Sequence, residues 1–355
     1  MNATLLPCDQ PLMSAFDTAL LDLDGVCFAG TDPIDYASQS VRAAREVGMR
    51  TMFVTNNASR PPQLVADKLT GLDIPTDPTQ IFTAAMDGAA VVAQMLPSGS
   101  AVLPVGGQGV MEALADEGMR IVTSADDHPA AVLQGYDASV DWAMMSEGAY
   151  AINNGAIHVA TNMDATLPTE RGFALGNGSL VTAISHATRV EPIAAGKPLP
   201  GIYQRALARC HGENPVAIGD RLNTDHAGAR DSSIASLHVL TGVNDARDVI
   251  TAPAQWRPTF VHTDLRGLTE PHPEVDVTVN AEGDVVASVA PIGEYPAAQA
   301  SVHEGELTVD GIGSLSHPRE LSLNEYRAAI AAAWAWADIH GPLADDVVAH
   351  VSVKA

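Results

Sequence analysis

Apolar residues in this chain fall in short unbroken runs, and polar residues crowd where the runs end. Leu20, Leu21 and Leu23 read as a short buried strand, with Gly25 as its stop. Residues 52–57, Met-Phe-Val-Thr-Asn-Asn, form a second apolar run closed by Thr55, Asn56 and Asn57. Residues 216–219 form a third, which delivers Asp220. Between them lie helical patterns. In 35–48 the residues Val41, Ala44 and Val47 recur at helical spacing, and 60–69 carries Pro61 near its first turn. A short strand at 80–83 and a helix at 84–95 complete the series. Strand and helix alternate, which predicts an α/β fold with a doubly wound, mostly parallel sheet.

The pattern breaks at Pro97-Ser-Gly-Ser100 and then starts its own alternation. Strands are expected at 101–105, 120–122, 131–135 and 158–160, and helices at 109–117, 140–153 and 178–188. We read 97–191 as an inserted α/β domain within a core made of 12–96 and 192–268. The core resumes with a helix at 199–210, the strand at 216–219, a helix from Thr224 with Asp225 in its first turn, and strands at 238–241 and 259–261. Beyond residue 268 the character changes. Strands are expected at 275–279, 285–289 and 306–309. Ser322-Leu-Asn-Glu325 is a capping box opening a helix to about Ile339, striped by Tyr326, Ile330, Ala333, Trp334 and Ala337. Residues 269–355 thus read as a small β-rich appendage with one helix and no catalytic constellation. Three roles stay open for it: packing against the core, a contact in a homodimer, or a site for a partner.

The run ends carry the chemistry. Asp22 and Asp24 stand two residues apart, and strand alternation puts them on one side of the chain. The carboxyl edge of an open α/β sheet is where ligands bind. Two ionised acids there repel, and a hard divalent cation such as Mg²⁺ holds them. The plain alternative is a pair of solvated acids at a strand end. Thr55 and the N–H groups after it suit an anion at a strand-to-helix turn. Lys197 stands in a turn before a helix, and Asp220 and Asp225 add two more acids. Nucleophile, acid/base, charge-neutralising donors and a Mg²⁺ cage are the parts of metal-assisted phosphoryl transfer. Gly106-Gly-Gln-Gly109 lacks the spacing of a dinucleotide loop and reads as a turn. Gly176-Asn-Gly-Ser179 lacks the order of a nucleophile elbow and reads as a helix start. The polar stretch 161–171, with Asn162, Asp164 and Arg171, reads as a long loop.

Taken in order, these motifs resemble the haloacid dehalogenase superfamily of aspartate-nucleophile phosphatases. Thr-Asn-Asn-Ala-Ser-Arg at 55–60, Gly-Tyr-Asp at 135–137, Ala-Thr-Asn-Met-Asp at 160–164 with Leu-Pro at 167–168, Gly-Lys-Pro at 196–198 and Gly-Asp-Arg-Leu-Asn-Thr-Asp at 219–225 are similar to its nitrophenylphosphatase and phosphoglycolate phosphatase branch, which has a large α/β cap. The match runs from about residue 17 to about 268. The resemblance implies Asp22 as nucleophile and Asp24 as acid/base. It gives the metal site to the Asp22 carboxylate, the Asp24 carbonyl and Asp220, with Asp225 in support. It gives the phosphoryl group to Thr55, the Asn56 N–H and Lys197. The loop with Asn162, Asp164 and Arg171 would close over a small phosphomonoester and set specificity. The stretch 161–168 looks closest to members acting on phosphoglycolate or glycerol 3-phosphate. Total length and the added C-terminal segment resemble actinobacterial glycerol-3-phosphate phosphatases. Pyridoxal phosphate and nucleotides are the other substrate classes, and a non-catalytic binding protein on this fold is the competing reading.

Composition narrows the partners. The 355 residues carry a formal net charge of −24 and 46% hydrophobic residues. That charge argues against general affinity for nucleic acid or an anionic membrane surface, since both need basic patches. An anionic substrate must then be drawn in by local positive charge, from Arg60, Lys197 and Arg221. Cys8, Cys27 and Cys210 show no paired spacing and read as reduced thiols, with Cys27 close enough to the acid pair for its oxidation to disturb activity. Residues 1–14 lack the features of a signal peptide, and no apolar stretch has the length of a membrane span, so a soluble cytoplasmic protein is expected. The histidines show no zinc spacing, and His226, after Asp225, reads as a surface residue at a helix N-terminus.

Overall fold

The computed structural model describes residues 4–169 and 171–354, apart from the side chain of Pro168. The chain divides into two compact units, Met1–Thr51 with Gly212–Ala355, and Met52–His211.

In the first unit the strand Thr18–Leu21 pairs in parallel with Pro215–Gly219, which pairs with Ala235–Val239 and that in turn with Phe260–His262. All four residues of Thr18–Leu21 are buried, as expected for a parallel sheet covered on both faces. The third strand sits earlier than the expected 238–241. Ser236 hides it from a hydropathy pattern: its hydroxyl is buried and pairs with the His226 ring at 2.9 Å.

The C-terminal segment of this unit is an antiparallel sheet in the order Val275–Val279, Val285–Val289, Ala298–His303, Glu306–Val309 and Gly313–Ser314. Val285, Ala287, Val289, Ala300, Val302, Leu307 and Val309 turn one face toward the 18-residue helix Leu323–His340. That helix answers with Tyr326, Ala329, Ile330, Ala333 and Trp334, and both halves of the expected capping box form at Ser322 and Glu325. The strand Ala298–His303 escaped the sequence reading because Ala-Gln-Ala-Ser carries little β-propensity. Its small alanines fit where the helix lies on the sheet. The helix is tied onward to Ala246–Ile250 by the Trp334 indole N–H on the Val249 carbonyl (2.9 Å), and Arg257 pairs with Asp338 at 2.7 Å.

In the second unit Phe53–Thr55, the end of the strand Arg50–Thr55, pairs in parallel with Ile81–Thr83. A separate parallel sheet runs Ile193–Ala194, Ile157–Ala160, Ala131–Gln134, Ala101–Val105, Arg120–Ile121. Its strands bury alternate residues on opposite faces. Val102, Leu133 and Val159 pack with Ala84–Met95 and Gln108–Asp116, while Leu103, Val105 and Val132 pack with Trp142–Asn153 and Asn177–Thr188. The 106–109 turn precedes a helix as expected, and Gly176 is the N-cap of Asn177–Thr188.

The expected long loop at 161–171 is corrected. Thr166–Thr169 and Gly172–Leu175 form an antiparallel hairpin whose tip includes Arg171. Residues 172–175 are all exposed, so no alternation of apolar and polar residues announced the strands. Among the described residues no helix is long and apolar enough to cross a membrane.

Candidate active site

The strand Thr18–Leu21 stops one residue before Asp22, so strand alternation does not govern the acid pair. The Asp22 N–H still donates to the Ile218 carbonyl at 2.9 Å, which anchors Asp22 to the neighbouring strand. After it the chain closes tightly on itself. The N–H groups of Val26, Cys27 and Phe28 all return to the Leu23 carbonyl, and Gly25 donates to Phe28 at 2.8 Å. Gly25 has φ +86°, a left-handed conformation that glycine adopts without steric cost. Asp24 is exposed and Asp22 half-buried.

Asp220 leaves the strand Pro215–Gly219 fully buried. Its Oδ2 accepts the Val243 N–H at 2.6 Å, and its carbonyl accepts the Asn244 N–H at 3.2 Å. Asp225, also buried, accepts the Arg221 N–H at 3.1 Å. It lies on a π-helical turn, Leu222–His226, which runs into the helix Ala227–Asp231; the expected helix start at Thr224 is thus two residues late. Methyl groups at Gly219 and Gly242 would collide with the Asp225 and Asp220 carboxyls, so both glycines are needed for the acids to sit there.

Asp22, Asp220 and Asp225 bring one carboxylate oxygen each within 4.8 Å of one another, and no other such group of acids, histidines or cysteines occurs among the described residues. Three carboxylates this close repel unless a cation lies among them, and an all-oxygen donor set suits a hard divalent ion. The Asp24 carboxyl is outside this group.

Behind the acids the surface reading of His226 is corrected. His226 is buried, its Nδ1 is 2.9 Å from the Ser236 hydroxyl, and its Nε2 is 2.9 Å from Nδ1 of His238. Burial, and then the His226 ring, pull the His238 pKa down to about 3. Cys27 is buried, and burial with the nearby Asp22 pushes its thiol well up, which leaves it a poor thiolate.

The second unit gathers another set. Thr55 ends its strand, and its hydroxyl accepts the Asn57 N–H at 3.1 Å. The Asn56 amide faces the backbone of Lys197: Oδ1 accepts the Lys197 N–H at 2.7 Å, and Nδ2 donates to the Lys197 carbonyl at 3.0 Å. Gly196 holds φ +74°, and a Cβ there would lie 2.5 Å from the Thr161 carbonyl oxygen. Its N–H donates to Asp87 at 2.8 Å, and Asp87 pairs with Arg205. Lys197 itself is only 3% exposed. Asn162 donates to the Asn56 carbonyl at 2.8 Å and accepts the Asp164 N–H at 3.1 Å.

Of the residues expected to set specificity, Asn162 and Asp164 therefore join Asn56 and Lys197 in one network. Arg171 does not: it is exposed at the hairpin tip, with its N–H on Thr169 at 3.3 Å. Asp87 was missed by sequence reasoning. Burial pushes its carboxyl upward, against the pull of Gly196 and Arg205. A lone acid in the first turn of the apolar helix Ala84–Met95 is the sequence signal that could have found it.

Comparison with known proteins gives this arrangement a family. Residues 19–120 match the model of a haloacid dehalogenase-like hydrolase, and 194–268 match a second model of such hydrolases. The D-glycerol 3-phosphate phosphatase of Mycobacterium tuberculosis is 41% identical over 284 residues, 76% of this chain and 80% of that protein. The chain belongs to the haloacid dehalogenase-like hydrolases. It is a phosphomonoester hydrolase of that family. Among solved structures, the glycerol phosphate phosphatase of Mycobacterium tuberculosis in complex with magnesium superposes with a TM-score of 0.79 at 34% identity, covering 98% of this phosphatase and 96% of that chain. A nitrophenylphosphatase from Geobacillus stearothermophilus gives 0.64 at 33% identity and covers 70% of this chain and 96% of its own. The larger overlap with the first is the reason to regard residues 269–355 as more than a private addition.

Proposed function

We propose that this phosphatase hydrolyses glycerol 3-phosphate with Mg²⁺ bound by Asp22, Asp220 and Asp225 and the Asp24 carbonyl. The observation that carries the reading is the three-carboxylate group in a chain 41% identical to a glycerol 3-phosphate phosphatase over 80% of that protein. The domain reading stays with it: core 12–96 and 192–268, cap 97–191, appendage 269–355.

The family resemblance assigns the roles in this mechanism, and the residue types suit them. An Asp22 oxygen forms a bond to phosphorus as the bond to the leaving oxygen breaks. Asp24 gives its proton to the departing alkoxide. Water then attacks the aspartyl-phosphate, its proton passes to Asp24, and the bond between Asp22 and phosphorus breaks. Bound Mg²⁺ supplies charge neutralisation and orientation of the phosphoryl oxygens. Thr55, the Asn56 N–H and Lys197 hold those oxygens, and Lys197 offsets the crowded negative charge. Asn162 and Asp164 act on the leaving group, which is where phosphomonoesters differ.

A phosphate-release assay with Mg²⁺ over glycerol 3-phosphate, phosphoglycolate, pyridoxal phosphate, nucleoside monophosphates and p-nitrophenyl phosphate tests both levels. Glycerol 3-phosphate should give the largest kcat/KM. A different ester ahead by tenfold removes the substrate assignment and leaves the mechanism. Release that survives intact in Asp22→Asn, with deamidation excluded, removes the mechanism.

A further inference from the structure

Lys197 and Asp164 come from segments 33 residues apart in the chain, yet one side chain touches both. The Asn56 amide bridges the two peptide groups that flank the Lys197 Cα, with Oδ1 on the Lys197 N–H at 2.7 Å and Nδ2 on the Lys197 carbonyl at 3.0 Å. The same Nδ2 donates to Oδ2 of Asp164 at 3.0 Å. Turned over, the amide would set donor against donor and acceptor against acceptor at Lys197, so the amide orientation is fixed by its partners. The Asn56 carbonyl is held too, by Asn162 at 2.8 Å, and Asn162 is pinned by Asn177, which donates to its carbonyl at 2.9 Å. Asn162 and Asn177 are 4% and 2% exposed. Losing one member of a buried polar network leaves its partners unpaired.

We propose that the Asn56 side chain is a positioning residue that couples the grip on the phosphoryl group, through Lys197, to the seating of the substrate loop, through Asp164. The proposal rests on the roles given above to Lys197 and Asp164. It adds that those roles are not independent. The loop that selects the leaving group and the lysine that holds the phosphoryl group share one hydrogen-bonding amide, so a change at Asp164 is felt by phosphate even where no leaving group is present. An ordinary specificity loop would alter substrate ranking and leave inorganic phosphate alone.

The test uses inhibition by inorganic phosphate, which reports the phosphoryl grip, beside the ratio of kcat/KM for glycerol 3-phosphate to that for p-nitrophenyl phosphate. Asn56→Asp keeps an acceptor for the Lys197 N–H, removes both donors and sets a carboxylate against Asp164. It should weaken phosphate inhibition tenfold or more and lower the substrate ratio in the same variant. Asp164→Asn alone keeps an acceptor for Nδ2 and should hold phosphate inhibition within threefold of wild type, while the substrate ratio is free to change. The double variant Asn56→Asp with Asp164→Asn exchanges donor and acceptor and should regain at least threefold in phosphate inhibition over Asn56→Asp. No recovery in the double variant overturns the coupling. Should Asn56→Asp not fold, Asp164→Ala carries the test: it should weaken phosphate inhibition at least threefold, and unchanged inhibition with altered ranking overturns the proposal. Failure of the mechanism itself shows differently, as wild-type turnover in Asp22→Asn whatever the Asn56 variants do.

Discussion

Gly25→Ala should disable the metal site without unfolding the protein. Gly25 sits at φ +86°, and a Cβ built on it lies 2.5 Å from Oδ2 of Asp220, 2.6 Å from its Cγ and 3.0 Å from Cα of Gly242. The left-handed backbone costs an L-residue about 1–2 kcal/mol. Comfortable contact between heavy atoms needs about 3.5 Å, so the Asp220 carboxyl or the turn must move by about 1 Å. Asp220 cannot swing aside cheaply, because its Oδ2 holds the Val243 N–H at 2.6 Å and the atom is buried. Overpacking of this kind adds about 1–3 kcal/mol. The sum is smaller than the about 5–15 kcal/mol of a typical domain, so the fold persists. A shift of about 1 Å in a reacting constellation costs about 100-fold in rate. The assay is kcat against Mg²⁺ concentration, with a thermal melt for the fold. Gly30→Ala is the matched control: its φ is +60°, and nothing lies within 4 Å of the added Cβ. It pays the backbone strain alone. Gly25→Ala should lose about two decades of kcat and need more Mg²⁺, while Gly30→Ala melts lower and keeps both. A folded Gly25→Ala enzyme with wild-type kcat and Mg²⁺ half-saturation refutes the reasoning.

Asp22→Asn should cut turnover by about 10³-fold or more, since the nucleophile is lost; a purified, folded variant that turns over normally removes Asp22 from that role. Chelation should abolish activity and Mg²⁺ restore it, and Ca²⁺ should inhibit because its looser coordination spoils in-line attack; full activity in excess chelator refutes the metal role. Acid should destabilise the fold through buried imidazoles. Burial pulls His158 from the ordinary histidine value of 6.5 to about 4, and burial with Arg327 pulls His272 to about 3. Below 6.5 the unfolded chain binds protons the folded chain refuses, so this contribution is whole above pH 6.5 and lost as pH falls toward the folded values. Asp87, raised by burial, works in the opposite sense. His158→Gln should therefore flatten the fall in Tm between pH 6.5 and 4.5 by about one proton's worth of slope, and an unchanged slope refutes it.

Much of the fold was legible because its elements follow local rules. A parallel strand covered on both faces shows as an unbroken apolar run, which is why 20–21, 52–55 and 216–219 stood out. The helix Ala84–Met95 and the capping box at Ser322 were legible for the same reason: propensity, period and cap act within a few residues. The order of motifs was enough to give the family. Local pattern failed where polar residues are buried by partners far along the chain. His226 read as a surface group because nothing nearby in sequence tells of its hydrogen bond with Ser236. Asp87 looked incidental until Gly196, 109 residues later, donated to it. The hairpin at 166–175 has exposed strands and so no hydrophobic alternation to read.

The sequence by itself determined which acids, hydroxyl and lysine this phosphatase carries, and that they lie at strand ends. The tertiary structure decided which of them meet. Asp22, Asp220 and Asp225 converge because two neighbouring parallel strands end side by side and glycines leave room for the carboxyls. The Asp24 carboxyl does not join them. Lys197 is set by an amide at Asn56 whose side chain gave no sign in sequence of what it would hold. Hydrogen bonds reach about 3 Å in space and take no account of distance along the chain, and for that reason the site is a property of the fold.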